Sequence, residues 1–498
     1  MNHPTPFPAR SYAFTKYGFC PNWIGGKWKT ANSGQTIDVI NPRHGLVMGS
    51  TSKSNSSDIK DAVTAANKVA AKWQSVPLKE RVQVLFRLKQ LMERDSEELG
   101  WLVSHENGKT HPESVASVAK GIECIEMGVS LPNMIAGGQL DVSRGVNCEV
   151  SYQQLGVCAG ISPFNFPIMV PLWMLPQALL AGNTFILKPS EQVPYSAMRL
   201  AMLLQEAGLP DGVFNVVNGA REAVEGICDN DEIKALGFVG STRVARIVYD
   251  RAGATGKRVL CLGGAKNHLV VVPDAEPEMT SQNVIASAFG CAGQRCMAAS
   301  VMLAVGDVDT IIDGMKAHAT EMKLGDDMGA IINEASFDRI TRYIDEAEEQ
   351  GATVIVDGRG AKVDDAPGYW IGPTIIDKVT ADMPAGHEEI FGPVLSIIRT
   401  DSVDEAIAIE NANPYGNAAA IFTSNGGTAR YAIDRFKAGM CGINIGVPVP
   451  REPFSFGGWN DSKFGHGDLT GFDGFRFWSK PRKVTTKWAL QSDQTWMG

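Results

Sequence analysis

Short β-branched runs alternate with amphipathic helices over most of this chain, and that alternation restricts the folds open to it. Residues 156–161, 185–187, 213–217, 236–239, 258–262 and 269–272 read as strands, with helices at 196–207 and 243–251 among them. Strands that are apolar on both faces belong to a mostly parallel sheet covered by helices on each side. The pattern resumes after residue 275. A small-residue helix at 281–289 leads into a cysteine-bearing loop. Strands at 301–305, 353–356 and 394–399 follow, with helices at 404–412 and 428–436. The spacing predicts an α/β protein with a second α/β unit over roughly 263–445.

The remaining segments are less regular. A strand is expected near 23–28, and helices over 59–73, 79–99 and 115–128. The apolar run 168–182 is interrupted by Pro171 and Pro176 and reads as a buried helix, too short for a membrane span. Residues 358–367 read as a surface loop. In the segment 482–488, Val484, Thr486 and Trp488 alternate with polar neighbours, as in an edge strand that could complete a partner's sheet.

Composition narrows the function. A chain of 498 residues is expected to form two or three domains. The net charge of -9, with no basic face evident, argues against nucleic acid as a partner. The nine cysteines are irregularly spaced and form no CxxC pair, so neither a metal knuckle nor a redox motif is expected. Free thiols fit a reducing, cytoplasmic setting. Arg10 and Lys16 stand near the start without an apolar core beside them, so no signal peptide is read.

Six motifs then occur in an informative order. They are Ser162-Pro163-Phe164-Asn165-Phe166-Pro167, Leu187-Lys188-Pro189-Ser190-Glu191, Gly240-Ser241-Thr242, Gly293-Gln294-Arg295-Cys296, Glu389-Ile390-Phe391-Gly392-Pro393 and Asn413-Pro414-Tyr415-Gly416. Over nearly its whole length the chain resembles the aldehyde dehydrogenase superfamily, and within it the CoA-acylating methylmalonate-semialdehyde dehydrogenases. The resemblance implies a Rossmann-type NAD-binding domain, an α/β catalytic domain and a small β oligomerisation element. It divides the chain into NAD-binding segments at 1–143 and 159–262 and an oligomerisation hairpin at 144–158. The catalytic domain then spans 263–445, a return segment lining the active site 446–481, and an oligomerisation strand and tail 482–498. Members are dimers or tetramers, and a homotetramer is expected here.

The same resemblance assigns roles. Cys296 is the nucleophile, a residue type whose thiol can be tuned toward ionisation. Asn165 and the Cys296 backbone N–H face the oxyanion. Ile161, Phe164, Lys188, Glu191, Ser241, Glu389 and Phe391 hold the cofactor. A carboxylate at Glu191 opposes a 2′-phosphate, which favours NAD over NADP. Ser241 opens a helix whose amides can receive a pyrophosphate oxygen. No metal is implied.

Hydrolytic members activate water with the glutamate of a Glu-Leu-Gly-Gly segment. The matching stretch here reads Cys261-Leu262-Gly263-Gly264. A thiol in place of that base points to acyl transfer to coenzyme A, with decarboxylation of a malonate- or methylmalonate-semialdehyde-type substrate. The alternative is an NAD-dependent enzyme that hydrolyses its thioester to a free acid.

Arg295 keeps the cation expected to hold the substrate carboxylate. Lys120-Gly121-Ile122-Glu123 stands where members carry an arginine, so the charge is retained and the planar fork is lost. Arg451 and Glu452 appear where members are apolar. Arg451 could compensate for Lys120, the substrate could differ (hydroxylated, sulfonated or longer), or Arg451 and Glu452 could pair with each other.

Overall fold

The computed structural model describes residues 8–488. An eight-stranded sheet runs in the order Lys463–Gly465, Arg258–Leu262, Ile233–Val239, Val157–Ile161, Thr184–Lys188, Phe214–Val216, Asn22–Ile24, Lys27–Lys29. Its five central strands are parallel and buried, as their apolar composition requires. Chain order runs outward from Val157–Ile161 in one direction, then returns to Ile233–Val239 on its other side. That reversal opens a crevice at the carboxyl ends of the two strands, where a doubly wound sheet places its ligand.

A seven-stranded sheet forms the second unit. Its order is Thr353–Val356, Thr374–Asp377, Val394–Thr400, Ala299–Val305, Asn267–Val271, Ala418–Phe422, Met440–Ile443, and only the first pair is antiparallel. Helix Pro277–Phe289 precedes the central strand Ala299–Val305, and the cysteine loop lies between them. A third, antiparallel sheet stands apart. Strand Val146–Gln154 pairs with Gly138–Ser143 on one side and with Ser479–Lys487 on the other. Leu140 and Val142 are exposed on it.

Two local features differ from the sequence expectation or sharpen it. The helix expected over 79–99 is two helices, Leu78–Arg94 and Ser96–Asn107, meeting at Asp95. The apolar spacing continues through the break, so periodicity could not reveal it. Asp95 is drawn out of helical geometry to serve Arg94 at 2.7 Å and the buried Arg199 at 2.6 Å. Near the N-terminus, Asn22–Ile24 and Lys27–Lys29 form a hairpin through Gly25 and Gly26, both at positive φ. That turn needs glycine, and a Cβ on Gly26 would also overlap the Asp211 carboxylate.

Arg199 also reaches Glu98 at 3.1 Å, so one buried guanidinium joins two helices to a third. Removing one partner of a buried ion pair strands the others. Arg199→Met is expected to lower stability by about 3 kcal/mol, read as an earlier midpoint in urea. An unchanged midpoint would show that the cluster carries no such weight.

Candidate active site

The crevice gathers residues from three strand ends. Ile161 and Lys188 are register partners at the last positions of their strands. Ser162 N–H donates to the Lys188 carbonyl at 3.1 Å, locking the two turns together. The Lys188 ammonium is buried and lies 3.1 Å from Glu191 Oε2. Burial works against the charge on Glu191, yet Lys188 outweighs it and holds this carboxyl below its usual range. Ser241 is the N-cap of helix Thr242–Gly253, and its hydroxyl makes no capping bond. The first-turn amides of that helix therefore lie open to an anion.

Across the crevice, Phe391 adopts left-handed backbone geometry at φ 56. Its ring meets Phe164 edge-on, with centroids 5.8 Å apart. Glu389 Oε1 accepts from Ala265 N–H at 2.9 Å, and burial pushes its carboxyl up to about 7. Glu389, Phe391, Arg295 and Cys296 line one small cavity. The structure thus brings Ile161, Phe164, Lys188, Glu191, Ser241, Glu389 and Phe391 to the carboxyl edge of one sheet and the loop facing it.

Cys296 follows a tight turn at Gly290–Gly293 in which Cys291 and Ala292 are left-handed. The Cys296 carbonyl accepts from Asn267 Nδ2 at 2.9 Å and Asn417 Nδ2 at 2.8 Å. These donors come from strand Asn267–Val271 and from the residue before strand Ala418–Phe422. Asn165 is buried, and its Nδ2 donates to Gln294 O at 3.0 Å, two residues before the cysteine. The Asn165 carbonyl accepts in turn from the buried Lys109 ammonium, which lies 3.5 Å over the Phe166 ring. Burial, then the Glu389 carboxylate, pushes the Cys296 thiol up to about 12. Arg295 and Lys109 pull weakly the other way.

On its other side Cys296 opens onto a cavity of about 440 Å³. Phe166, Met169, Trp173, Met297, Val447 and Phe456 supply apolar walls; Glu113, Lys120, Arg295 and Glu452 supply charge. Arg295 Nη2 donates to the carbonyls of Ala286 at 2.6 Å and Ser287 at 2.8 Å, which fixes the guanidinium beside the nucleophile. Lys120 lies on the wall, bound to Glu123 at 2.7 Å and Glu452 at 3.4 Å.

Two sequence expectations need correction. Arg451 is exposed and does not line the cavity, so it does not compensate for Lys120. Nor does Glu452 serve Arg451: its carboxylate turns to Lys120. Residues 451–454 form a turn, closed by the Phe454 N–H on the Arg451 carbonyl at 3.1 Å, with Arg451 outside and Glu452 on the cavity wall. Parity corrects the reading of Cys261. In strand Arg258–Leu262 the side chains of Leu260 and Leu262 join the apolar cluster that Cys296 borders. Cys261 faces the opposite core, with Phe238, Ala245 and Val248. Burial pushes its thiol far above the usual range, so it is no base. Its neighbour Leu262 belongs to the other cluster, and neither of the two lines a cavity at Cys296.

Several contributing residues were not singled out from sequence. Asn267 and Asn417 hold the nucleophile's backbone, Lys109 holds Asn165, and Glu113 accepts from Cys291 N–H. Asn417 directly follows the Asn413-Pro414-Tyr415-Gly416 motif. Lys109 closes the run Glu106-Asn107-Gly108-Lys109, whose buried polar residues between two helices were a usable signal.

Comparison with known proteins agrees with this geometry. The sequence pattern of the aldehyde dehydrogenase family matches residues 28–484. Malonate-semialdehyde dehydrogenase 2 of Geobacillus kaustophilus is 44% identical over 475 residues, covering 94% of this chain and 98% of its own. The crystal structure of methylmalonate-semialdehyde dehydrogenase from Oceanimonas doudoroffii superimposes with a TM-score of 0.93. It is 41% identical, over 96% of this chain and 99% of that one. A Sinorhizobium meliloti 1021 chain assigned to the same activity and complexed with NAD gives a TM-score of 0.94 at 37% identity, over 96% and 100% of the two chains. The chain belongs to the aldehyde dehydrogenase family.

Proposed function

We propose that this protein oxidises a malonate- or methylmalonate-semialdehyde-type substrate with NAD, through a thioester on Cys296, and passes the acyl group to coenzyme A. The observation that carries the acyl-transfer half is the wall around Cys296. Among the described residues, the carboxylates lining its two cavities are Glu113, Glu389 and Glu452. Glu113 accepts from Cys291 N–H and Thr110, Glu389 from Ala265 N–H, and Glu452 faces Lys120. The position expected to carry a water-activating base holds Cys261, whose thiol is buried in the opposite core and lines neither cavity.

In this reading Cys296 gives up its proton to water and the thiolate Sγ attacks the aldehyde carbon. The alkoxide that forms takes hydrogen bonds from the Asn165 amide and the Cys296 N–H, where the charge develops. Bound NAD supplies the hydride acceptor. Lys188 and Glu191 would hold its adenine ribose, Ser241 and the helix behind it the pyrophosphate, Glu389 the nicotinamide ribose, with Ile161, Phe164 and Phe391 against the rings. The paired Glu191 leaves no room for a second anion, which supports NAD over its phosphorylated form. Arg295 would hold the substrate carboxylate, with Lys120 further along the wall. A carboxylate β to the thioester carbonyl can leave as CO2, its electrons passing into the thioester enolate, which then takes a proton. The thiol of coenzyme A attacks the remaining thioester and Cys296 departs as the leaving group. Oxidation precedes acyl transfer, a ping-pong order.

Segments 1–137 and 159–262 would serve the cofactor and 263–445 the chemistry, since Gly138–Ser143, expected with the first segment, pairs in the separate antiparallel sheet. The separate antiparallel sheet, with exposed Leu140 and Val142, fits an assembly of two or four copies. No helix among the described residues is long and apolar enough to cross a membrane, and the free cysteines fit a cytoplasmic enzyme.

Three outcomes test this. With 3-oxopropanoate and NAD, steady NADH production should require coenzyme A, and mass spectrometry should find an acyl-CoA product. Sustained turnover to a free acid without coenzyme A would overturn the acyl-transfer reading and leave the oxidative half standing. Asn165→Ala should lower kcat about 100-fold, with a far smaller change in KM. Cys261→Ala should change the coenzyme A-independent rate less than about twofold, because its thiol lies behind the sheet. A larger change would place that thiol back in the deacylation step.

A further inference from the structure

Lys120 and Arg295 are both cations on the wall of the large cavity, but they are engaged differently. Arg295 donates to two neutral backbone carbonyls, so its positive charge is left for a ligand. Lys120 is held between two carboxylates. Glu123, on the same helix, is 40% exposed and lies at the solvent side; Glu452 is only 11% exposed and belongs to the wall itself. Both oxygens of Glu452 are engaged from helix His111–Met134: Lys120 Nζ lies 3.4 Å from Oε2, and the buried Cys124 Sγ donates to Oε1 at 3.7 Å. Lys120 and Cys124 are four residues apart, so one helix face grips the carboxylate.

From this arrangement we infer that Glu452 is a specificity-determining residue, an internal anion seated on Lys120 that limits the cavity to aldehydes carrying one carboxylate. This rests on the function proposed above and narrows it. A ligand with one anionic group uses Arg295. A ligand with two brings its second anion to Lys120 and meets the carboxylate already there, and like charges at such a site repel. The exclusion is electrostatic and local, since the cavity volume admits either ligand.

The test needs no turnover. Malonate and propanoate differ by one carboxylate, and each can be titrated as a protectant of Cys296 against iodoacetamide in the full-length enzyme. In Glu452→Gln the half-protecting concentration of malonate should fall about tenfold relative to that of propanoate, the scale of one recovered charge-assisted contact. In the double variant Lys120→Met/Glu452→Gln that relative gain should vanish. Glu452→Met, of similar volume, should behave as Glu452→Gln does and serves if the amide variant does not fold. Equal shifts for both anions, no shift, or a gain that survives without Lys120 would overturn the inference. The wild-type assay with 3-oxopropanoate and coenzyme A reads the functional proposal separately, so either can fail while the other stands.

Discussion

One carbonyl oxygen anchors the site. The Cys296 C=O takes two amide donors, from Asn267 and Asn417, and these come from the ends of two neighbouring parallel strands. Asn267 also donates to Ala298 O at 2.8 Å, and its Oδ1 accepts from Ala418 N–H at 3.1 Å. Cys296, the proposed nucleophile, is thus tied to the middle of a sheet even though it sits on a loop. A side chain on a loop alone would be free to move by more than an attack geometry tolerates. The left-handed turn at Cys291 and Ala292 that leads into it is the backbone strain such anchoring must sustain.

Electrostatics around the thiol follow from that placement. The loop buries Cys296 near Glu389, and both effects disfavour the thiolate; Arg295 and Lys109 oppose them more weakly. Lys109 has a second part. Its ammonium holds the Asn165 carbonyl and lies over the Phe166 ring, so the residue meant to face the oxyanion is oriented through its own backbone. Because Asn165 is tied to Gln294 as well, the proposed nucleophile and its proposed oxyanion donor form one connected unit.

Most of the frame was legible in the sequence because burial on both faces leaves a plain mark. Strands Arg258–Leu262 and Val394–Thr400 fall, within one residue, where their apolar runs begin and end. The motifs placed Cys296 and Asn165 within one constellation. What the sequence hid were matters of parity and of partner choice. Residues 261 and 262 are both apolar in character, and only the pleat decides which core each one enters. Arg451 and Glu452 were a natural pair in the sequence, but a carboxylate finds its cation in space, and Lys120 is more than three hundred residues away. The break at Asp95 was hidden likewise, because the ion pairs that cause it come from another helix.

The departures at Cys261 and Glu452 act in one direction. Cys261 stands where a base is expected and its buried thiol faces the opposite core, so in the proposed reaction water beside the thioester finds no base from that position. A thiol acceptor has no such requirement. Its own pKa lies near neutrality compared with water, it is the better nucleophile toward a thioester, and one thiolate replaces another with little change in bond energy. Deleting a carboxylate therefore selects the acceptor by withholding help from the weaker competitor. Placing Glu452 against Lys120 applies the same logic to the substrate end, where an internal charge disfavours the wrong ligand and Arg295 alone remains to favour the right one. The proposed oxidative half needs neither device, which is why the fold and the Cys296–Asn165 unit can stay as they are while acceptor and substrate are set by separate residues.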